Sequence, residues 1–337
     1  MLDRRAFFAL SAAFAGASVV PKVQAQTNAP STAGAWRLAT GYRADSFHGR
    51  NLQQLAQDVA QQGGPAIELH AQGKLAPLAE IPRAVREGRA EMGEAIMSGM
   101  AAQWPVAGAD ALPFMVRHYE DARWLWQVQR PLVEEALQPD GLRVLMAVPW
   151  PPQGLYSRRP ITRASDLQGL RMRTYNRTTE RLAQLVGATG VDVPMLKVGE
   201  AFAAGQIDCM ITSATTGVEN EVWRHVRHYY DINAWFPKNL TFLSESAWRR
   251  LDAAGQARLR EAAARAEERG WAESARVAAA SVQTLREAGM TVEGPSATLL
   301  NDIKRLGERF SLEWVREVGA PANRLLIPYY ARTTPRA

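Results

Sequence analysis

The chain has one cysteine, Cys209, in 337 residues. No intramolecular disulfide can form, and without a Cys-x-x-Cys pair the ligands of an iron–sulfur or covalent haem site are missing. Histidines number five: His48, His70, His118, His225 and His228. His225 and His228 stand three apart, with Glu221 four residues earlier, but this spacing matches no zinc signature. No Gly-x-Ser-x-Gly elbow, Walker loop or Gly-x-Gly-x-x-Gly fingerprint occurs. An enzyme is therefore not the expected reading, and no cofactor is expected. There is no basic run and no basic-aromatic patch, which excludes nucleic acid as a partner. Beyond the N-terminal region, no apolar stretch approaches the roughly 20 residues needed to span a bilayer.

What is there suits a globular protein with two cores. Apolar residues make up 47% and charged residues 22%, and the net charge is +6, a mild excess that helps collect anions. Residues 1–25 read as an export signal: Arg4-Arg5, an Ala-rich apolar run from Ala6 to Val20, then Val23-Gln24-Ala25 with small residues where a signal peptidase cuts. The Arg pair followed by Ala6-Phe7-Phe8 resembles a twin-arginine signal, with Asp3 a departure from it; a general secretory signal is the alternative. Residues 26–34 are a polar linker, and export places the mature protein in the periplasm.

Alternating and helical apolar patterns then mark the elements. Strands are expected near Trp36–Ala39, Ala66–His70, Glu91–Met97, Val144–Val148, Leu240–Ser244 and Met290–Val292. One helical pattern runs from Gly255 to Ala288, long for a globular helix, with Gly270 inside it as a candidate bend. A last helix covers Leu299–Val318. Trp150-Pro151-Pro152-Gln153-Gly154 breaks regular structure and is the expected first crossing between domains, with Trp150 and Gln153 close to a cleft.

The informative stretch runs from Asp166 to Asn239. Leu170, Met172 and Thr174 alternate with Arg171 and Arg173, a short strand with one charged face. Leu182, Leu185 and Val186 follow at helical spacing, closed by Gly187. Ala201–Ala204 is another helical turn, and Ile207–Ile211 a buried strand. Strand, helix, strand, helix, strand implies a parallel sheet, with ligands beyond the carboxyl ends of its strands. An arginine fixed on such a strand is a two-pronged donor for a carboxylate. An internal salt bridge to Asp192 or Asp208, or simple exposure, is the alternative use of Arg173.

Gly169-Leu170-Arg171-Met172-Arg173 and Ala201-Phe202-Ala203-Ala204-Gly205-Gln206-Ile207-Asp208 together resemble the substrate-binding proteins of tripartite ATP-independent periplasmic (TRAP) transporters, the DctP-like family. Phe47-His48-x-x-Asn51 and Leu112-Pro113-Phe114 fit the same pattern. The resemblance implies an α/β, two-domain periplasmic-binding-protein fold, with a ligand cleft between domains and a long helix spanning both. Domain I would comprise 35–150 plus 239–288, and domain II 151–238 plus 289–330. It implies that Arg173 binds a ligand carboxylate and that His48 faces the ligand. The expected partners are a small organic anion, aromatic or bulky given Trp150, Trp235 and Phe236, and the membrane permease subunits.

After Asp208 the chain departs from the family. Cys209-Met210-Ile211-Thr212-Ser213 replaces the usual glycine and amide, so hydroxyls of Thr212, Ser213 or Thr215 stand in. Tyr175, Asn176 and Arg177 follow the clamp strand and are further cleft candidates, as is Asn239, which is otherwise a turn residue. Trp235 is either part of an apolar wall or core. The rival readings are a binding protein of another transporter type and an exported enzyme with a non-covalent cofactor.

Overall fold

The computed structural model describes residues 34–333; the expected export signal and residues 26–33 of the linker lie outside the described residues. The strands are β1 Trp36–Thr40, β2 Ile67–His70, β3 Met92–Ile96, β4 Leu142–Pro149, β5 Gln153–Ser157, β6 Arg171–Thr174, β7 Thr189–Asp192, β8 Cys209–Ser213, β9 His228–Tyr230, β10 Lys238–Ser244 and β11 Thr291–Glu293. They form two sheets. The first has the order β2-β1-β3-β10-β4 and the second β11-β9-β5-β8-β6-β7.

The expected parallel arrangement holds for β6, β7 and β8, where helices return the chain to the same edge. It does not extend to the whole of either sheet. β10 runs antiparallel to β3 and β4, and β5 runs antiparallel to β8 and β9. The reason is the path of the chain: β5 and β10 each enter a sheet directly from the other one, with no crossover helix to set their direction. The two crossings are tied together. Trp150 N–H donates to Pro237 O at 2.7 Å, Gln153 N–H to Trp235 O at 3.1 Å, and Ala234 N–H to Gln153 O at 2.9 Å.

Each sheet is covered by apolar side chains on both faces. Phe242, Leu240 and Trp271 belong to one core beside the first sheet, and Leu38, Leu55 and Met146 to the other. The second sheet has Leu155, Met172 and Ile211 in one core and Tyr156, Phe202 and Met210 in its counterpart. Period-two alternation puts Met172 and Met210 on these faces and leaves their neighbours for other duties.

The long helix is continuous from Ala253 to Glu287, 35 residues, which at 1.5 Å per residue is roughly 50 Å. It touches both halves of the molecule. Asn51 Nδ2 donates to Ala266 O at 2.9 Å, while Thr215 and Ser281 hydroxyls meet at 3.0 Å. Gly270 does not interrupt it. A Cβ there would sit 2.5 Å from Val148 Cγ2, so the missing side chain is what lets β4 lie against the helix.

The C-terminal segment divides its packing. In helix Ala297–Val318, Leu299 and Ile303 join the second sheet's core, whereas Trp314 joins the first sheet's. The Pro- and Arg-containing tail forms a further helix, Ala320–Thr333, whose Leu325 and Tyr329 also pack in the first core.

Candidate ligand-binding site

A cavity of about 670 Å³ opens where the carboxyl ends of β6, β7 and β8 face the first sheet. Arg173 lies in its wall, near the carboxyl end of β6. Its neighbour on the sequence pattern, Arg171, is exposed and paired with Asp208, with Nη2 2.7 Å from Oδ1 and Nε 2.8 Å from Oδ2. Arg173 is only 3% exposed. Its Nε donates to Val193 O at 2.9 Å, and its guanidinium carbon lies 4.6 Å from the Tyr175 ring centroid. Among the described residues no carboxylate stands within ion-pair distance of it. Burial pushes the Arg173 pKa down to about 10, against the opposing pull of Tyr175, Asp192 and Tyr42. The arrangement is a desolvated cation whose remaining donors are not matched by an internal anion among the described residues, a state that costs free energy unless a counter-charge is supplied.

Polar groups beside it are held in place. Tyr175 Oη donates to Gln153 Oε1 at 3.1 Å, and Gln153 Nε2 donates to Pro151 O at 2.8 Å. The amide is thereby fixed to the crossing that carries it. Burial lifts the Tyr175 hydroxyl to about 12, with Arg173 pulling it back, so it remains a donor at neutral pH. Asn176 caps helix Arg177–Leu185 through Thr179 N–H and reaches across the cleft to Ser98 Oγ at 2.7 Å.

The three candidate hydroxyls separate. Ser213 accepts from Thr216 N–H as a helix cap, and Thr215 is bonded to Ser281. Thr212 lines the cavity with no side-chain hydrogen bond among the described residues.

The cavity thus gathers Arg173, Tyr175, Gln153, Thr212 and Trp150. His48, Asn239 and Trp235, expected as cleft candidates, are not part of its lining, and for Trp235 it is the core alternative that the structure shows. Asn239 sits mid-sheet, opposite Ile96 of β3 and Val148 of β4. Its Oδ1 accepts from Trp150 Nε1 at 2.8 Å and from Tyr42 Oη at 3.3 Å. His48 lies behind Trp150, ring centroids 4.5 Å apart, with Nδ1 3.2 Å from Glu94 Oε1. Glu94 also accepts from Thr40 Oγ1 at 2.7 Å. These residues hold the wall; Trp150 and Tyr42 are the wall. Trp235 is fully buried in the second sheet's core.

Sequence reasoning did not place Tyr42, Gln72, Ser98, Asp192, Met195 or Leu196 at the cleft, and all of them line the cavity; Asp192 was considered only as an internal partner for Arg173. Asp192 carried a signal, since it ends a strand of the parallel set and such ends face ligands. Gln72, at φ 59°, carried none.

The sequence model of the bacterial extracellular solute-binding protein family 7, DctP, matches residues 39–309. The chain belongs to this family. Solved structures agree. The Bordetella pertussis extracytoplasmic solute receptor DctP6, which binds pyroglutamic acid, is 35% identical with a TM-score of 0.86, over 88% of this chain and 100% of that one. A TRAP solute-binding protein from a marine metagenome, specific for pyroglutamate, is 32% identical with a TM-score of 0.85, over 88% and 98%. A curated solute-binding protein of Albidiferax ferrireducens is 25% identical over 175 residues, so the match spans 50% of this chain and 51% of that relative. The family and these structures are extracytoplasmic solute receptors, not enzymes. The fold is their two-domain α/β architecture with the long helix. Among the described residues no helix is long and apolar enough to cross a membrane.

Proposed function

We propose that this receptor works in the periplasm, captures a small organic acid in the cavity at Arg173 and delivers it to the membrane permease subunits of a TRAP transporter. The observation that carries the reading is the Arg173 guanidinium, buried in the cavity wall with a carbonyl but, among the described residues, no carboxylate within ion-pair distance. A ligand carboxylate would complete it with charge-assisted hydrogen bonds. Gln153, Tyr175 and Thr212 would orient the rest of the ligand, and Trp150 would supply a flat apolar face. Pyroglutamate is the first acid to test, given what the two similar structures bind. The paired crossings at 150–153 and 234–238 would act as the hinge on which the two sheets and their helices close.

Calorimetry and thermal shift on the purified protein test this directly. A bound acid at a hundred times its Kd adds about 2.7 kcal/mol to stability. Arg173→Ala should abolish the response, and Arg173→Lys should restore only part of it. Undiminished acid binding by Arg173→Ala would remove the clamp from the proposal.

A further inference from the structure

Among the described residues lining the cavity, Arg83, Arg173, Arg177 and Asp192 carry charge. Two of the three cations are already paired: Arg83 Nε with Glu87 Oε1 at 2.7 Å, and Arg177 Nη1 with Glu317 Oε1 at 2.6 Å. Arg173 is left, and so is Asp192. Asp192 closes β7 in register with Thr174, one residue beyond Arg173 on the neighbouring strand. It is exposed, and no hydrogen bond or ion pair engages it among the described residues. It is close enough to help hold the proton on Arg173, yet the two do not form a salt bridge. The cavity therefore presents one unpaired positive group and one unpaired negative group to whatever enters.

We infer that Asp192 is a specificity-determining residue, selecting acids that carry an N–H donor on the carbon next to their carboxylate, such as lactam acids and N-acylated or free amino acids. The inference rests on the organic-acid reading of Arg173 and adds a second contact to it. With the carboxylate on Arg173, an N–H directed at Asp192 makes a charge-assisted hydrogen bond. A dicarboxylate would bring its second carboxylate against Asp192 in a partly desolvated cleft, where like charges repel. An oxygen in place of the N–H would set lone pair against lone pair. Discrimination then comes from a repulsive contact as much as from an attractive one.

The test is calorimetric titration of the wild-type protein, Asp192→Ala and Arg173→Ala with three probes. They are pyroglutamate, its lactone isostere in which a ring oxygen replaces the N–H, and glutarate. The wild type should prefer the lactam over the lactone by roughly tenfold or more, the scale of one lost directional contact. Asp192→Ala should collapse that preference, leave lactone affinity unchanged or higher and admit glutarate better. Arg173→Ala should lose lactam and lactone alike. Equal wild-type affinity for lactam and lactone would overturn the role of Asp192 while leaving the clamp standing, as would an Asp192→Ala variant that weakens both equally. A preference that survives in Arg173→Ala and vanishes in Asp192→Ala would support Asp192 and reject the clamp. No binding of either ring acid to the wild type would reject both. Ligand-free Asp192→Ala, altered at an exposed position, should melt with the wild type.

Discussion

Arg173 and Lys238 are the two buried Arg or Lys side chains among the described residues, and they are treated oppositely. Lys238 begins β10 and has Asp110 beside it, Nζ 3.7 Å from Oδ2, with its own backbone N–H donating to the same oxygen at 2.6 Å. Burial lowers the Lys238 pKa and raises that of Asp110, and each partner restrains the shift of the other. Arg173 has a carbonyl, a tyrosine ring and, among the described residues, no acid in contact. A cation neutralised from within the chain serves the fold. One left open at a cavity is a cost to the folded state that a ligand can offset. Burial is common to both cations, and the presence or absence of an acid in contact is what separates them.

Breaking the internal pair should give the largest effect. Asp110→Ala leaves Lys238 buried and alone, and denaturant unfolding should show a loss of about 3–5 kcal/mol. Replacing both members by apolar residues of similar volume should recover most of it. Arg173→Ala should do the reverse in the ligand-free protein, leaving stability unchanged or raised, while costing about 3–5 kcal/mol in acid binding. If both single variants destabilised the ligand-free protein equally, the distinction between the two cations would fail.

A smaller effect tests the wall. Asn239→Ala strands the Trp150 indole N–H and the Tyr42 hydroxyl, and each buried donor left unmatched costs about 1–3 kcal/mol. Both melting temperature and acid affinity should fall, with the apolar contact of Trp150 loosened rather than removed. Loss of stability with wholly unchanged affinity would mean that this layer does not shape the cavity.

The smallest effect concerns an acid without a partner in contact. Glu219 Oε2 is buried with no hydrogen bond among the described residues. Burial pushes its pKa up to about 7 from the ordinary 4.5, Arg43 pulling it down and Asp45 up. Between those two values the folded protein keeps a proton that the unfolded chain has released. Stability from this group is therefore full below pH 4.5 and is lost as pH rises through 7. Glu219→Gln should flatten the stability profile in that window by on the order of 1 kcal/mol.

Much of the fold was legible because alternation and helical spacing report burial directly. The strands at 36–40, 142–149 and 238–244 and the helix at 253–287 all fall where apolar side chains recur with the right period. The strand that carries Arg173 was legible for the same reason, but preferring Arg173 to Arg171 came from the resemblance to the family and not from alternation, which puts both arginines on one face. The failures have a common cause. His48 stands in the first turn of helix Phe47–Gln61 and Asn239 on β10, and both approach the cleft, but their depth depends on what stands in front of them. Trp150 and Tyr42 occupy that position, and neither is near both of them in sequence. β5 and β9 are short and covered on both faces, so their pattern lacks the polar alternation that would announce them.

The order of residues by itself determined the strands and helices that carry a clear apolar period, and that an arginine would stand on one of those strands. Those properties depend on neighbours a few positions away. Only the tertiary structure decided that Asp208 pairs with Arg171 and leaves Arg173 without an acid, that Asp110 and Lys238 meet across more than a hundred residues, and that Asp192 comes to share a cavity with the free guanidinium. Which charges cancel depends on distance and dielectric in three dimensions, and neither can be read along the chain.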